Sequence, residues 1–364
     1  MGASLAERLS EAGLEVALLD RRPPGCGSTS ASTALVLWEA DFPLTSLARK
    51  VGPEEAVRRW RRVNRAATGL WERFARAHIR SDHTPRLSLY LDGDVLDAEG
   101  LRAEVELRKQ HGFPSAFLAA EAVAERFAIA PRTGIVSTDS FEANPLRLTL
   151  ALLEIARKRG ATVTFPLDVL RVTHDADAIV METDQGEVRA RNAILAAGYE
   201  RPSLFLPAAF SLKSSYAIAT APGTAPLWRE NAMIWEASES YLYARVDPEG
   251  RVIAGGGDET FGGAKERDAL IPMKAQAIAE ELATLVRAPI EPRERWAAIF
   301  GASPDGLPAI GRAANSERLW LASGFGGNGI TFAALAAELL TAELTGAPDR
   351  DMSCFDPYRF AANN

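Results

Sequence analysis

Cysteine and histidine are both scarce: the 364 residues include two cysteines, Cys26 and Cys354, and four histidines, His78, His83, His111 and His174. Two thiols cannot build a disulfide framework, and neither they nor the histidines fall at metal-ligand spacing. No metal centre is therefore expected, and a reducing, cytoplasmic setting fits best. Excess positive charge is lacking as well. Lys and Arg number 41 against 48 Asp and Glu, a formal charge of −7, which argues against a broad nucleic-acid footprint. The densest basic stretch, Arg58 to Arg65, alternates with apolar residues at helical spacing and reads as a solvated helix face. No apolar run reaches the roughly 18 residues of a membrane span, and the N-terminus lacks the charged-then-apolar order of a signal peptide.

What is present is an ordinary globular composition, 47% hydrophobic and 24% charged, long enough for two domains of about 150 residues or one large body. Residues 3–12 carry Leu5, Ala6, Leu9 and Ala12 on one helical face, with Gly13 as the stop. LEVALLD, Leu14 to Asp20, follows as a short apolar run closed by an acid and the turn-forming RRPPG, the pattern of a buried parallel strand. GCGSTSAST, residues 25–33, matches neither helix nor strand and is either a flexible loop or a backbone built to approach a ligand. Helical periodicity returns around 53–80 and 97–111. Asn144 before Pro145 opens a capped helix that ends at Gly160. ATVTF follows as a strand, then a short antiparallel set leads back to a buried strand, Ala193 to Ala197.

Between 213 and 257 the segments KSSYAIAT, AMIWEAS, SYLYARVD and RVIAGGG alternate like strands of a separate sheet. A helix near 268–287, the strand RERWAAIF, the turn ASPDG, LPAIG, the buried strand LWLAS, GFGGNGIT and a last helix complete the pattern. The two kinds of segment interleave, which implies two discontinuous domains: 1–84, 141–204 and 301–364 in one, 85–140 and 205–300 in the other.

Two features carry chemistry. A dinucleotide fold needs a strand, a glycine loop at a helix start, a second strand and an acid at its end for ribose hydroxyls. Helix, second strand and Asp20 are present; Met1 and Gly2 stand where the third glycine of GxGxxG belongs, so the first strand and opening glycines are expected to be lacking. The other feature is GFGGNGIT, Gly324 to Thr331. Four glycines in six positions, between a strand and a helix, are more than a tight turn needs and leave backbone N–H groups free to face an anionic or polar ligand.

Together with DGLPAIG, Asp305 to Gly311, and LAAGYE, Leu195 to Glu200, the order of these motifs resembles the D-amino-acid oxidase family of flavoproteins, which includes glycine and sarcosine oxidases. The resemblance covers roughly 2–346. It implies an α/β, or two-domain α+β, fold: a Rossmann-like FAD-binding domain with an interleaved antiparallel-sheet substrate domain. It further implies FAD contacts from Gly2, Asp20, Arg21, Ser28, Thr29, Ser30, Ser32, Val169, Ala197, Gly198, Gly324, Gly326, Gly327, Asn328, Gly329, Ile330 and Thr331. The resemblance also implies a noncovalent flavin, since 296–312, where the monomeric sarcosine oxidases of that family attach theirs, holds no cysteine.

Tyr241, Tyr243 and Arg245 alternate along one strand and so share a face. The resemblance sets such tyrosines over the flavin; plain packing on a sheet accounts for the pattern equally well. Where relatives carry an arginine ahead of the PDG turn, this chain has Phe300, so a substrate carboxylate would need Arg245 or Lys213 instead. The resulting expectation is oxidation of a C–N bond in a small amine or amino acid by hydride transfer to FAD, with O2 or another acceptor taking the electrons. A cofactor-poor small-molecule-binding protein of the same fold is the alternative. An NAD-dependent dehydrogenase is disfavoured, because it needs no returning glycine cluster.

Overall fold

The computed structural model describes residues 1–175, 177–199, 207–314 and 316–361. Its helices are α1 (Gly2–Glu11), α2 (Ser28–Ala31), α3 (Leu44–Val51), α4 (Pro53–Arg76), α5 (Ala98–Gln110), α6 (Ala120–Phe127), α7 (Pro145–Lys158), α8 (Ala264–Val286) and α9 (Gly329–Leu344). The strands are β1 (Ala17–Leu19), β2 (Leu35–Val36), β3 (Thr84–Leu91), β4 (Ser115–Leu118), β5 (Gly134–Glu142), β6 (Thr162–Thr164), β7 (Val169–His174), β8 (Ile179–Thr183) and β9 (Gly186–Ala190). They continue with β10 (Ala193–Leu195), β11 (Ser211–Ala219), β12 (Met233–Glu236), β13 (Leu242–Val246), β14 (Val252–Thr260), β15 (Glu294–Ala302), β16 (Ala309–Arg312) and β17 (Leu319–Ser323).

Parallel pairing joins β1 to β6 and, separately, β10 to β17, with β16 antiparallel on the far side of β17. A nine-stranded sheet runs β15-β11-β14-β13-β12-β3-β5-β2, with β4 also on β5; it is antiparallel apart from the β12–β3 pair. β7, β8 and β9 form a three-stranded antiparallel meander. The mixed α/β architecture is thus the expected one. Residues 200–206, which include Glu200 and the expected boundary at 204 and 205, lie outside the described residues, as does Asn364.

Local chemistry explains several elements. Asn144 Oδ1 accepts the Arg147 N–H at 3.1 Å and Pro145 opens α7, while Asp97 Oδ1 accepts the Gly100 N–H at 2.8 Å to cap α5. One core gathers Leu5, Leu9, Trp60, Phe332 and Leu340 between α1, α4 and α9. A second packs Ile278, Leu282 and Leu285 of α8 onto Ile234, Leu242 and Ala254 of the large sheet. Buried Glu7 ties the first layer together, accepting from Arg73 Nε at 2.7 Å and Arg159 Nη1 at 2.6 Å, so that α1, α4 and α7 share one ion network.

Three expectations need correction. The basic face of α4 is only partly solvated: Arg61 and Arg65 are exposed, but Arg58 pairs with Asp351 at 2.7 Å, Arg59 with Asp305 at 3.0 Å, and buried Arg62 with Glu338 at 3.0 Å and Asp349 at 3.1 Å. Acids remote in sequence fold over it, which helical periodicity cannot foresee. β1 and β10 are short and only partly buried, because both border a large cavity instead of lying between neighbours. The loop at 25–33 contains a turn of helix, α2, that composition concealed.

Candidate active site

Along the split between the two parallel strand pairs runs a cavity of about 1480 Å³, larger than the roughly 300–1,000 Å³ of most small-molecule clefts. One end is walled by the loop after β1 and by the meander, through Asp20, Arg21, Arg22, Val169, Leu170 and Arg171. Asp20 continues the β1–β6 pairing, since its N–H reaches Thr164 O at 3.0 Å, and its Oδ1 accepts the Arg22 N–H at 2.9 Å. Midway, the first turn of α1, Gly2 to Leu5, meets the cavity together with Ser28, Thr29 and Ser32. A helix N-terminus offers unpaired N–H groups and positive potential, a setting suited to phosphate.

The opposite end is formed where the glycine cluster, β13 and β15 converge. Tyr241, Tyr243, Trp235, Ser215 and Phe300 line it, facing Gly326, Gly327 and Asn328. Phe325 N–H donates to Tyr199 OH at 3.0 Å and Gly326 N–H to Gly301 O at 2.9 Å, which locks the cluster to the segment after β10 and to β15. Gly324 has φ +67°, and a Cβ there would lie 2.4 Å from the Phe210 ring, so glycine is required. Tyr241 and Tyr243 sit with ring centroids 5.8 Å apart; Tyr241 OH donates to Asp258 Oδ2 at 3.0 Å and Tyr243 OH lies 3.4 Å from Ser215 Oγ. Burial, followed by the nearby carboxylate of Asp258, holds the Tyr241 hydroxyl well above the usual tyrosine range; burial pushes Tyr243 up to about 12. Neither phenol ionises near neutral pH.

Of the residues singled out from sequence, Gly2, Asp20, Arg21, Ser28, Thr29, Ser32, Val169, Ala197, Gly198, Gly326, Gly327, Asn328, Gly329, Ile330, Phe300, Tyr241 and Tyr243 all border this one cavity. Five do not. Ser30 Oγ turns back to Gly27 O at 3.1 Å. Gly324 is packed under Phe210, and Thr331 Oγ1 donates to Leu37 O at 2.7 Å, anchoring α9 from beneath. Arg245 is buried and donates to Thr33 O and, at 3.1 Å, to Glu142, which also holds Arg86 at 2.7 Å. That ion pair, two residues farther along the strand than Tyr243, keeps it from the cavity wall. Lys213 is exposed opposite Phe300 in the β11–β15 register.

Trp235 and Ser215 of the chamber escaped the sequence reading, and so did two acids. Asp258 is the partner of Tyr241. Asp41 lies on the cavity wall, where its Oδ2 accepts the Gly327 N–H and its Oδ1 the Asn328 side-chain amide, each at 2.7 Å. Its contact with Gly327 spans 286 residues, and nothing local in WEADFP announces it. Packing around Asp41, with Asp258 near, raises its carboxyl to about 6. The N–H expected to face a ligand at Gly327 is thus given to a carboxylate of the chain itself.

The cavity combines a volume of about 1480 Å³ with the phosphate-suited helix end and glycine-lined terminus that a flavin dinucleotide needs. Ser323 Oγ, buried on its wall without a hydrogen-bond partner among the described residues, fits a site completed by a polar ligand. Comparison with known proteins agrees. A family model described as FAD dependent oxidoreductase matches residues 1–343. Similarity extends to the D-amino acid dehydrogenase of Paramagnetospirillum magneticum, 25% identical over 403 aligned positions covering 96% of this chain and 93% of that protein. A shorter match, 41% identical over 80 residues, links 22% of this chain to the tRNA 5-methylaminomethyl-2-thiouridine biosynthesis bifunctional protein MnmC of Polaromonas naphthalenivorans, and spans 12% of that protein's length. Among solved structures, glycine oxidase from Geobacillus kaustophilus shares the fold with a TM-score of 0.79 at 18% identity, over 98% of this chain and 95% of that chain.

Proposed function

The chain belongs to the FAD-dependent oxidoreductase family whose model it matches over residues 1–343, and from that premise we propose that it oxidises a C–N bond of a small amine or amino acid. Bound FAD supplies a two-electron acceptor for hydride. On the substrate, the C–H bond next to nitrogen breaks, the nitrogen lone pair closes a C=N bond, and water then hydrolyses the resulting iminium. O2 or another acceptor would be the final electron acceptor.

The observation that carries this reading is the aromatic chamber of Tyr241, Tyr243, Trp235 and Phe300 set against the glycine cluster at one end of the cavity. The tyrosines, held protonated and fixed by Asp258 and Ser215, orient a small substrate and exclude water. Asp20 takes the adenosine ribose, the α1 first turn the pyrophosphate, and Gly326 to Ile330 the flavin end. FAD is held noncovalently. Segments 1–84, 141–204 and 301–364 carry the cofactor, and 85–140 with 205–300 shape the substrate chamber.

An anaerobic titration tests this reading. Protein saturated with FAD is mixed with a panel of primary and secondary amines and amino acids; bleaching of the visible flavin band by one of them is the expected result. Bleaching by a nicotinamide dinucleotide alone would overturn it.

A further inference from the structure

The charge distribution on the cavity wall is lopsided. Its arginines, Arg21, Arg22, Arg171, Arg189 and Arg191, all come from the loop after β1 and from the meander region, at the nucleotide end. Around the aromatic chamber no lysine, arginine or histidine is among the described wall residues, and Asp41 is the charged residue among them. Arg245, which could have met a carboxylate, is neutralised by Glu142, and the charges of Lys213 and Lys274 act on Asp258, not on Asp41.

Asp41 is placed to act on a ligand. It is solvent-accessible where it borders the cavity. Two of its lone-pair sites are taken by Gly327 N–H and the Asn328 amide, and a carboxylate has about four, so capacity remains on the chamber side. The two bonds also fix the carboxylate, so it does not have to reorganise when charge appears nearby.

We propose that the substrate is a small amine without a carboxylate on the oxidised carbon, and that Asp41 is the specificity-determining residue that faces its nitrogen and receives the positive charge that develops there. The assignment rests on the C–N oxidation reading and narrows it. Hydride loss turns a neutral amine into an iminium cation, so positive charge grows on nitrogen as the C–H bond breaks. A fixed carboxylate beside that nitrogen stabilises the later state more than the earlier one, which is the condition for catalysis. The same carboxylate repels the carboxylate of an amino acid, and no cation among the described residues of the chamber wall offsets that repulsion.

The test uses FAD-saturated protein and matched substrates that differ only by a carboxylate: pyrrolidine against proline, and dimethylamine against N-methylglycine. Anaerobic flavin reduction is followed, and separately the perturbation of the oxidised flavin spectrum by each compound. The expected result is that the amine of at least one pair binds and reduces flavin faster, and that Asp41→Asn slows that reduction about 100-fold while narrowing the preference. Faster reduction by the amino acid of each pair overturns the inference and leaves the C–N oxidation reading standing. Reduction by neither class in any pair, in protein that holds flavin, overturns both. Should Asp41→Asn fail to retain flavin, the wild-type comparison of matched pairs still decides.

Discussion

Single side chains set the electrostatics of the chamber. Asp41 has its carboxyl raised to about 6 by its packed surroundings, the Gly327 and Asn328 hydrogen bonds only partly offsetting them. It is therefore neutral below that pH and charged above it, and amine affinity should fall as pH drops through about 6, read by spectral titration of the bound flavin. Folding responds with the opposite sign. A carboxyl whose folded pKa is raised favours the folded state at low pH, and that contribution is lost as pH rises through about 6. Asp41→Asn should accordingly flatten the melting temperature of cofactor-free protein between about pH 4 and 6, the span of the shift. Arg245 belongs to a different class of residue. Replacing it with methionine leaves Glu142, which is 1% exposed, with one cation instead of two, and should cost about 3 kcal/mol of stability. Because Arg245 does not border the cavity, flavin and amine titrations should be unchanged; altered amine affinity would return it to the substrate site.

At the level of elements, the turn between β17 and α9 separates fold from function. Gly324 is held by backbone conformation and by Phe210, so Gly324→Ala should lose about 2 kcal/mol of stability. Gly329 lines the cavity as the first residue of α9, and a Cβ there meets nothing within 4 Å. Gly329→Ala should leave the melting temperature equal or higher, since alanine suits a helix better by about 1 kcal/mol. Its methyl group enters the cavity, however, and should weaken FAD about tenfold, or 1.4 kcal/mol, by fluorescence titration. Elements were also where the sequence was most readable. Asn144–Pro145 and the apolar face of α1 announce helices through local rules, and the alternation of β11 to β14 announces strands. What stayed hidden depends on distant partners. The acids that cover α4, the pairing of Asp41 with Gly327 and the ion pair that withdraws Arg245 each join segments whose separation no periodicity records.

For the whole molecule, the decisive arrangement is one cavity bordered by elements from the beginning, middle and end of the chain: α1 and β1, the meander and β10, then β17 and α9. The large sheet contributes its aromatic face at a single end of that cavity, through β13 and β15. Motif order made the cofactor path legible in the sequence, whereas the chamber, where sheet and glycine cluster meet, emerges only from tertiary packing. None of the described helices is long and apolar enough to cross a membrane, and no group of three or more metal-ligating side chains is found among the described residues. The central claim is that this cavity holds FAD beside a substrate whose C–N bond is oxidised there. Its most direct test is the visible spectrum of FAD-saturated protein before and after anaerobic addition of the amine panel. The account predicts flavin bands that stay with the protein through gel filtration and bleach on adding an amine; protein that passes gel filtration without flavin bands, or keeps them unbleached by every amine and amino acid, would contradict it.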